Sequence, residues 1–230
     1  MPVLIVVAHP DDEVLGCGGT VASLAKQGVE IYSCILCGQV QARNFRPSDT
    51  ELLNNIHATQ KLLGLQEPIL GPFPNIKLNS IPHLDLVQFI ENIILEVRPQ
   101  WIFTHHPADL NDDHYHTSRA CQAASRLFQR RENIPHIKSL FYMEILSSTD
   151  WAFPGNGNQF VADTFFSIND TLQAKLDALH AYRGVMRDFP HPRSQEILTG
   201  LAALRGGQSG LKYAEAFQTA FHVMNHSEFL

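Results

Sequence analysis

Short apolar runs alternate with amphipathic segments along the first half of the chain. The apolar runs are rich in β-branched residues and are typical of strands buried on both faces of a sheet; they lie at 3–8, 29–37 and 101–104. The segments between and after them have helical periodicity or helix-boundary residues, and they predict helices at 20–27, 51–63, 84–97 and 113–130. This alternation predicts an α/β fold with a Rossmann-like, doubly wound, mainly parallel sheet flanked by helices.

The chain after about residue 133 has a less regular pattern. Its predicted elements are a strand pair at 137–145, a short strand at 160–168, a helix at 171–183 capped near Asn169 or Asp170, a helix at 195–204 and a helix or strand at 213–217. We expect these C-terminal segments to wall a site above the sheet. Because no linker, repeat or low-complexity tract interrupts the sequence, residues 1–230 are predicted to form one domain.

Composition excludes several classes of protein. The formal net charge of −6 argues against a general nucleic-acid binder, which normally carries a basic face. No apolar stretch approaches the roughly 20 residues of a membrane span. The first strand begins at once, without a basic region or a cleavage site, so no signal peptide is predicted. We therefore expect a cytoplasmic protein that acts on a small molecule, with a homo-oligomer as a further possibility.

The cysteines agree with a reducing compartment. Cys17, Cys34, Cys37 and Cys121 show no disulfide framework. Cys34 and Cys37 form a CxxC pair at the end of an apolar run, but the sequence offers no partners for a redox or zinc role there. The pair is therefore interpreted as structural.

The first polar cluster follows the first strand immediately. His9, Pro10, Asp11, Asp12 and Glu13 place an imidazole and three carboxylates where the buried strand ends, which is costly without a counter-charge. His9 and Asp12, three residues apart across a proline-fixed turn, can chelate one cation and leave Asp11 to contact a metal-bound water. The alternative is a polar loop that only caps the following helix.

A second polar cluster follows the strand at 101–104. That strand ends at His105 and His106 and leads into the segment ADLNDDH at 108–114. The carboxyl ends of parallel strands meet at one edge of a sheet, where α/β proteins bind ligands. Two clusters rich in His and Asp are therefore expected side by side, which favours one metal site over two unrelated helix caps.

The helix predicted from 113 completes a ligand set. With Asn111 or Asp112 as its cap, His114 faces inward from the first turn, whereas His116 points elsewhere. His9, Asp12 and His114 then offer two nitrogens and one oxygen with room for water, the open arrangement of a catalytic zinc. Iron, cobalt or manganese could occupy the same set.

Two carboxylates beside these ligands have candidate roles. Asp11 is placed to take a proton from the water, whose pKa zinc lowers toward about 7. Asp113 either orients an imidazole ligand or is simply an acidic residue at a helix N-terminus.

The chain resembles the LmbE/PIG-L-like family of zinc-dependent N-deacetylases. The resemblance rests on AHPDDE at 8–13, with its glycine-rich turn, and on THHPADLNDDH at 104–114. It continues through EILSSTDW at 144–151, PHPRS at 190–194 and RGGQSGLKYAEAF at 205–217. It implies one zinc per chain on His9, Asp12 and His114, with Asp11 as general base.

The resemblance also implies the substrate class. Family members use zinc-bound water to cleave N-acetylated amino sugars or their conjugates to the amine and acetate. The alternatives are an amide hydrolase acting on a non-sugar amide, a thiol conjugate or an antibiotic intermediate, and a non-catalytic metal- or sugar-binding module. A binding module would not need Asp11 beside the ligands, which favours catalysis.

One position departs from the family pattern. Many members carry a histidine three residues before the last ligand, where it stabilises the oxyanion; here the residue is Asn111. Asn111 can donate a hydrogen bond but not a proton. His191, in the HPRS segment, is a candidate acid or oxyanion donor, or simply a loop histidine. His106 is a third candidate, because it follows a strand at the same edge.

Four charged residues are candidates for contacts with sugar hydroxyls or a phosphate. These are Arg43, Arg46, Asp109 and Arg193. Residues of this kind are more often ordinary surface charges.

Overall fold

The structure is a computed structural model that describes residues 1–38, 47–134, 136–153 and 159–224. Strands and helices alternate through most of the chain. In order they are β1 (Val3–Val7), α1 (Asp12–Lys26), β2 (Ile31–Ile35), α2 (Asp49–Leu63), β3 (Ile69–Leu70), α3 (His83–Val97), β4 (Trp101–His105), α4 (Asp112–Ala124), β5 (Ser139–Met143), β6 (Thr164–Ser167), α5 (Leu172–Ala181), α6 (Gln195–Ser209) and β7 (Ala214–His222). Short 3₁₀ turns cover Leu78–Ser80 and Leu127–Gln129.

The strands form one sheet in the order β3-β2-β1-β4-β5-β7-β6. The first five of these are parallel, and β7 pairs antiparallel with both β5 and β6. The predicted mainly parallel, doubly wound α/β sheet is therefore confirmed. The strand order reverses between β1 and β4, so the residues after Val7 and His105 lie at the switch point where such sheets bind ligands.

Two apolar clusters cover the two faces of the sheet. Val3, Ile5 and Val7 of β1 pack with buried residues of α1, α2, α5 and α6. Leu4 and Val6 pack on the opposite face, with buried residues of α3 and α4. Because alternate side chains of β1 enter different clusters, this strand is buried on both faces, as its unbroken apolar sequence predicts.

The first helix begins eight residues before its predicted start. It runs from Asp12, so the glycines expected in a turn lie inside the helix. A Cβ atom on Gly16 would lie 2.7 Å from Met143 Sδ, and one on Gly19 would lie 2.7 Å from Ile168 Cγ2. These glycines let α1 pack close to β5 and to the segment after β6.

Helix α1 is interrupted by a break near its middle. Cys17 has φ −144° and ψ 17°, which are not helical values. Just beyond it, the N–H groups of Gly19 and Thr20 donate to the carboxylate of Glu215 at 2.9 and 2.7 Å. Lys175 Nζ donates to Glu215 Oε1 at 2.6 Å. The second half of the helix is thus held by a side chain from β7.

Other boundaries also differ from the prediction. Helix α2 begins at Asp49, two residues before its predicted start, and Ser48 caps it, because the Ser48 side chain accepts from the N–H of Glu51. The strand pair expected at 137–145 is the single strand β5, and the helix-or-strand segment is β7. The helix predicted to reach Arg130 ends at Ala124 and gives way to a 3₁₀ turn. Thr171 precedes α5, with no capping bond from its side chain.

Two further observations concern the whole described chain. All four cysteines are buried free thiols. Within the described ranges, no helix combines the length and the apolar character needed to cross a membrane.

Candidate active site

The turn after β1 folds a carboxylate back toward a histidine. Asp12 is the first residue of α1, and its Oδ2 accepts the backbone N–H of His9 at 2.9 Å. Asp11 precedes the helix in the left-handed region, at φ 105°. This geometry places the side chains of His9 and Asp12 side by side at the carboxyl edge of the sheet.

Three donor atoms converge at this edge. Asp12 Oδ2 lies 3.3 Å from His9 Nδ1 and 3.2 Å from His114 Nε2. One donor atom from each of the three residues lies within 4.8 Å of the other two, and all three residues are buried. They line a cavity of about 250 Å³, the metal cavity, which leaves one side of the cluster open. Two imidazole nitrogens, a carboxylate oxygen and an open side fit a catalytic divalent metal such as zinc.

Each imidazole is oriented by a carboxylate behind it. His9 Nε2 lies 2.9 Å from Asp113 Oδ2, and His114 Nδ1 lies 3.2 Å from Asp109 Oδ2. The ring nitrogen facing each of these carboxylates is the one turned away from Asp12. Such outer carboxylates fix the tautomer and the ring orientation of metal-binding histidines.

The charges of this cluster stabilise one another. Burial disfavours the charged form of His114, but Asp12 and Asp109 outweigh that effect and raise the pKa of His114 to about 10. Burial also disfavours ionised Asp109, yet His114 and nearby hydrogen bonds lower its pKa to about 2. A metal on His114 would therefore have to displace a proton.

Asp109 lies behind His114 and is fixed there by three neighbours. Its carboxylate accepts hydrogen bonds from Thr149 Oγ1 at 2.8 Å, from the N–H of Asn111 at 2.9 Å and from the hydroxyl of Ser148. The sequence suggested a substrate contact for Asp109. This position instead suits a residue that orients His114.

Asp113 connects His9 to the segment after β3. Its carboxylate also accepts the N–H groups of Ile76 at 2.5 Å and Leu78 at 3.0 Å. Of the two roles considered for Asp113, its geometry suits the orientation of an imidazole. It lies in the first turn of α4 as well, so the two roles are compatible.

Asp11 is buried in the same cavity and contacts a cation. Its Oδ2 lies 3.2 Å from Arg193 Nη1, and Arg193 Nε donates to Ser147 Oγ at 2.7 Å. The backbone N–H of Asp11 donates to Glu13 Oε2 at 3.1 Å. Burial, together with Asp11 and Asp12, raises the pKa of Glu13 to about 8.

Asn111 lies between the metal cavity and the first turn of α4. Its Oδ1 accepts the N–H of Asp113 at 3.0 Å and caps α4. Because that bond uses the oxygen, the NH₂ end is left to donate to a ligand in the cavity that Asn111 lines.

The other two candidate histidines lie farther from the cluster. Among the described residues, those that line the metal cavity include neither His191 nor His106. His191 Nδ1 accepts the N–H of Arg193 at 3.0 Å, and its ring contacts Trp151 edge-on. His106 is buried beside Tyr142 and lines a separate cavity of about 630 Å³.

Three further residues were considered from the sequence: His116, Arg43 and Arg46. His116 lies 3.6 Å from Asp112 on α4, away from the metal cavity, as expected. Arg43 and Arg46 lie outside the described residues.

No role was predicted for His105, the last residue of β4, which also lies at this edge. His105 Nε2 accepts the N–H of Ala8 at 2.8 Å, and its ring stacks on His114 with 3.8 Å between centroids. Burial, with His114 the next contribution, lowers the pKa of His105 to about 3, so its ring is neutral. The adjacent residues His105 and His106 at the end of the predicted strand were the only indication in the sequence of a further histidine at the site. The hydroxyls of Ser148 and Thr149, which hold Asp109 in place, belong to the segment EILSSTDW, and no role was predicted for them.

The sequence and the fold are similar to those of known proteins. A probable N-acetyl-α-D-glucosaminyl L-malate deacetylase 2 of Bacillus cereus is 29% identical over 193 residues, which cover 79% of this chain and 82% of that protein. The N,N'-diacetylchitobiose deacetylase of Pyrococcus horikoshii superposes with a TM-score of 0.77 at 17% identity, over 100% of this chain and 88% of that one. A 4-carboxy-2-hydroxymuconate hydratase of Pseudomonas putida superposes with a TM-score of 0.75 at 20% identity, over 98% of both chains.

A family match extends over the part of the chain that contains both polar clusters. The family model described as PIG-L, GlcNAc-PI de-N-acetylase, matches residues 4–125, more than half of the 230 residues. This chain therefore belongs to the PIG-L (LmbE-like) family. The predicted resemblance is confirmed.

Proposed function

We propose that this protein is a zinc-dependent N-deacetylase that removes the acetyl group from an N-acetylated amino sugar or sugar conjugate. The observation that carries the proposal is the shared cavity of Asp11 and the cluster of His9, Asp12 and His114. A proton acceptor beside an open metal site is what amide hydrolysis by water requires. The Bacillus cereus relative, named as a deacetylase of an N-acetylglucosaminyl conjugate, supports the substrate class. The fold alone would not, since it also occurs in a hydratase.

The metal ligands in this proposal are His9 Nδ1, Asp12 and His114 Nε2. A zinc ion held there supplies positive charge that polarises the acetamide carbonyl and makes a nearby water more acidic. Asp113 and Asp109 keep the two imidazoles turned toward the ion, through the contacts at 2.9 and 3.2 Å.

Asp11 carries the proton in the proposed reaction. Its carboxylate accepts a proton from the attacking water and then delivers it to the nitrogen of the leaving amine. Arg193 and the N–H contact with Glu13 hold Asp11 in position from two sides. Fixing the base in this way lowers the entropic cost of reaching the reactive geometry.

Asn111 is the proposed oxyanion donor of this protein. It lines the metal cavity, and its NH₂ group is not used by the capping bond to Asp113. A fixed amide donor stabilises the negative charge that develops on the carbonyl oxygen. His191 is placed less favourably, since its Nδ1 already accepts from Arg193 outside the cavity lining.

The size of the metal cavity limits how much of the substrate can enter it. Its volume of about 250 Å³ lies below the roughly 300–1,000 Å³ typical of pockets that enclose a drug-sized ligand. We propose that the acetamido sugar enters the cavity and that the rest of a conjugate extends outside. Arg193 is the candidate contact for a hydroxyl or an anionic group of the substrate.

Metal analysis combined with acetate release tests the proposal. The purified protein is assayed for zinc and then incubated with N-acetylglucosamine, N,N'-diacetylchitobiose, a nucleotide-linked N-acetylglucosamine and an N-acetylglucosaminyl malate. We expect about one zinc per chain, acetate release from at least one conjugate, and loss of that activity after chelation with recovery on adding zinc. Zinc without acetate release would redirect the search to other amides. Purified protein that binds no metal would refute the proposal.

A further inference from the structure

Backbone strain is concentrated around the metal cavity. Five non-glycine residues of the described chain have positive φ, and three of them line this cavity: Asp11 at 105°, Ile76 at 56° and Ser147 at 67°. The left-handed region is costly for residues with a Cβ atom, and such residues persist at functional sites where the surroundings enforce them. The polar side chains of Asp11 and Ser147 both contact Arg193, which gives their positions in the cavity a reason. The apolar side chain of Ile76 has no such contact, so its position in the cavity requires another explanation.

Ile76 is the least expected of the three. A β-branched side chain makes left-handed backbone especially unfavourable. The residue is 55% exposed, so burial does not offset that cost. Its N–H donates to Asp113 Oδ2, the oxygen that also contacts His9 Nε2. The conformation of Ile76 is therefore fixed by the carboxylate that orients a proposed metal ligand.

Ile76 also differs chemically from its neighbours in the cavity. Among the described residues that line it, Ile76 alone has an aliphatic side chain, and the others are charged or polar. A single apolar group in a polar cavity suits the one apolar part of an acetamide, its methyl group. The methyl is bonded to the carbonyl carbon, so it must lie close to the cluster that contains His9.

We propose that Ile76 contacts the acyl group of the substrate and limits its length. The inference rests on the proposed deacetylase function and adds the residue that selects acetyl over longer acyl chains. The left-handed backbone presents the branched side chain at a fixed place beside the metal cluster. A longer acyl chain would then meet that side chain, whereas a methyl group would fit against it.

Two substitutions distinguish the effect of the Ile76 side chain from the effect of its left-handed backbone. Ile76→Ala removes most of the side chain but keeps the strain, and Ile76→Gly removes both. Activity is followed as release of the free amine from N-acetyl-, N-propionyl- and N-butyrylglucosamine in the conjugate that the wild-type protein uses best. We expect both variants to raise the butyryl-to-acetyl ratio of kcat/KM by about tenfold or more. We also expect Ile76→Gly to melt about 2 to 4 °C higher than Ile76→Ala.

Two controls match these variants. Arg98→Gly relieves a left-handed residue at the end of α3, at φ 54°, away from the cavity. Leu84→Ala shortens an exposed aliphatic side chain on the same helix. Both controls should keep the wild-type acyl preference. Zinc content is measured in every variant to show that Asp113 and His9 still support the cluster.

The outcomes distinguish this inference from the proposed function. Acetyl cleavage by the wild-type protein, with an unchanged butyryl-to-acetyl ratio in both Ile76 variants, would overturn the inference alone. A change in the butyryl-to-acetyl ratio that occurs only in Ile76→Gly would assign the effect to the backbone. That result would also overturn the inference. No amine release from any N-acyl sugar by the zinc-loaded wild-type protein would overturn both proposals.

Discussion

Tyr182 and Glu13 are joined by a buried hydrogen bond, with 2.5 Å between Tyr182 Oη and Glu13 Oε1. Tyr182 follows α5, and Glu13 lies in the first turn of α1. The second carboxylate oxygen of Glu13 accepts the backbone N–H of Asp11. One buried carboxylate thus connects the end of α5 to the left-handed residue proposed as the general base.

Replacing Tyr182 by Phe removes one donor from this carboxylate. Because Glu13 is fully buried, we expect the free energy of unfolding to fall by about 1–3 kcal/mol and turnover to fall with it, while zinc content stays the same. Urea unfolding, steady-state kinetics and metal analysis measure these effects. Tyr213→Phe, near the start of β7, is the control and should change none of them. Unchanged kcat in Tyr182→Phe would show that Asp11 does not depend on this bond.

Asp11→Asn tests the general base. An amide of similar shape cannot accept the proton from water, so we expect kcat to fall by about 10² to 10⁴. Zinc content should be unchanged, because Asp11 is not one of the proposed ligands. A variant that keeps zinc and most of its turnover would remove Asp11 from the proposed role.

His114→Ala tests the metal cluster. Without His114 Nε2 only two protein ligands remain, so both zinc and activity should be lost. His116→Ala, two residues later on the same helix, is the matched control and should retain both. Metal analysis after dialysis compares the two variants, and zinc retained at wild-type affinity by His114→Ala would contradict the ligand assignment.

Asp109→Asn tests whether Asp109 acts through His114. Loss of the carboxylate weakens the orientation of the imidazole, and outer-carboxylate changes of this kind typically cost 10- to 100-fold in metal affinity or activity. We expect weaker zinc binding in a competition assay with a chelator, and partial recovery of activity at high zinc. If KM rises while zinc affinity is unchanged, Asp109 is a substrate contact instead, as the sequence first suggested.

The ion pair of Lys175 and Glu215 predicts a large effect on stability. Both side chains are buried, and Lys175→Met would leave the Glu215 carboxylate without its cation. We expect a loss of about 3–5 kcal/mol in the free energy of unfolding, measured with urea. Arg183→Met removes a cation from the exposed pair with Glu51 and should leave the unfolding midpoint almost unchanged. Similar effects of both substitutions would argue against a special role for the buried pair.

The sequence predicted those features that depend on local pattern. The apolar runs of β1 and β4 are unambiguous, and parallel strands bring their carboxyl ends to one edge. The adjacency of His9, Asp12 and His114 therefore followed from chain order. The helical periodicity of α3 was equally clear, since its boundary differs from the prediction by one residue.

Features that depend on distant partners could not be predicted in this way. The position of Asp109 behind His114 is set by Ser148 and Thr149, about forty residues later. The early start of α1 could not be predicted, because glycines are unfavourable inside a helix. Here they allow close packing against Met143 and Ile168. Ile76 lies in a proline-rich segment whose backbone conformation depends on Asp113 of α4.

The hydrogen bonds from the N–H groups of Gly19 and Thr20 to Glu215 join residues that are 196 and 195 positions apart in the sequence. Contacts between such distant residues carry a large loop-closure entropy, so they form late relative to local structure. The second half of α1 therefore gains this support only when β7 has joined the sheet. The contact order of this helix is that of the whole sheet, although its sequence is local.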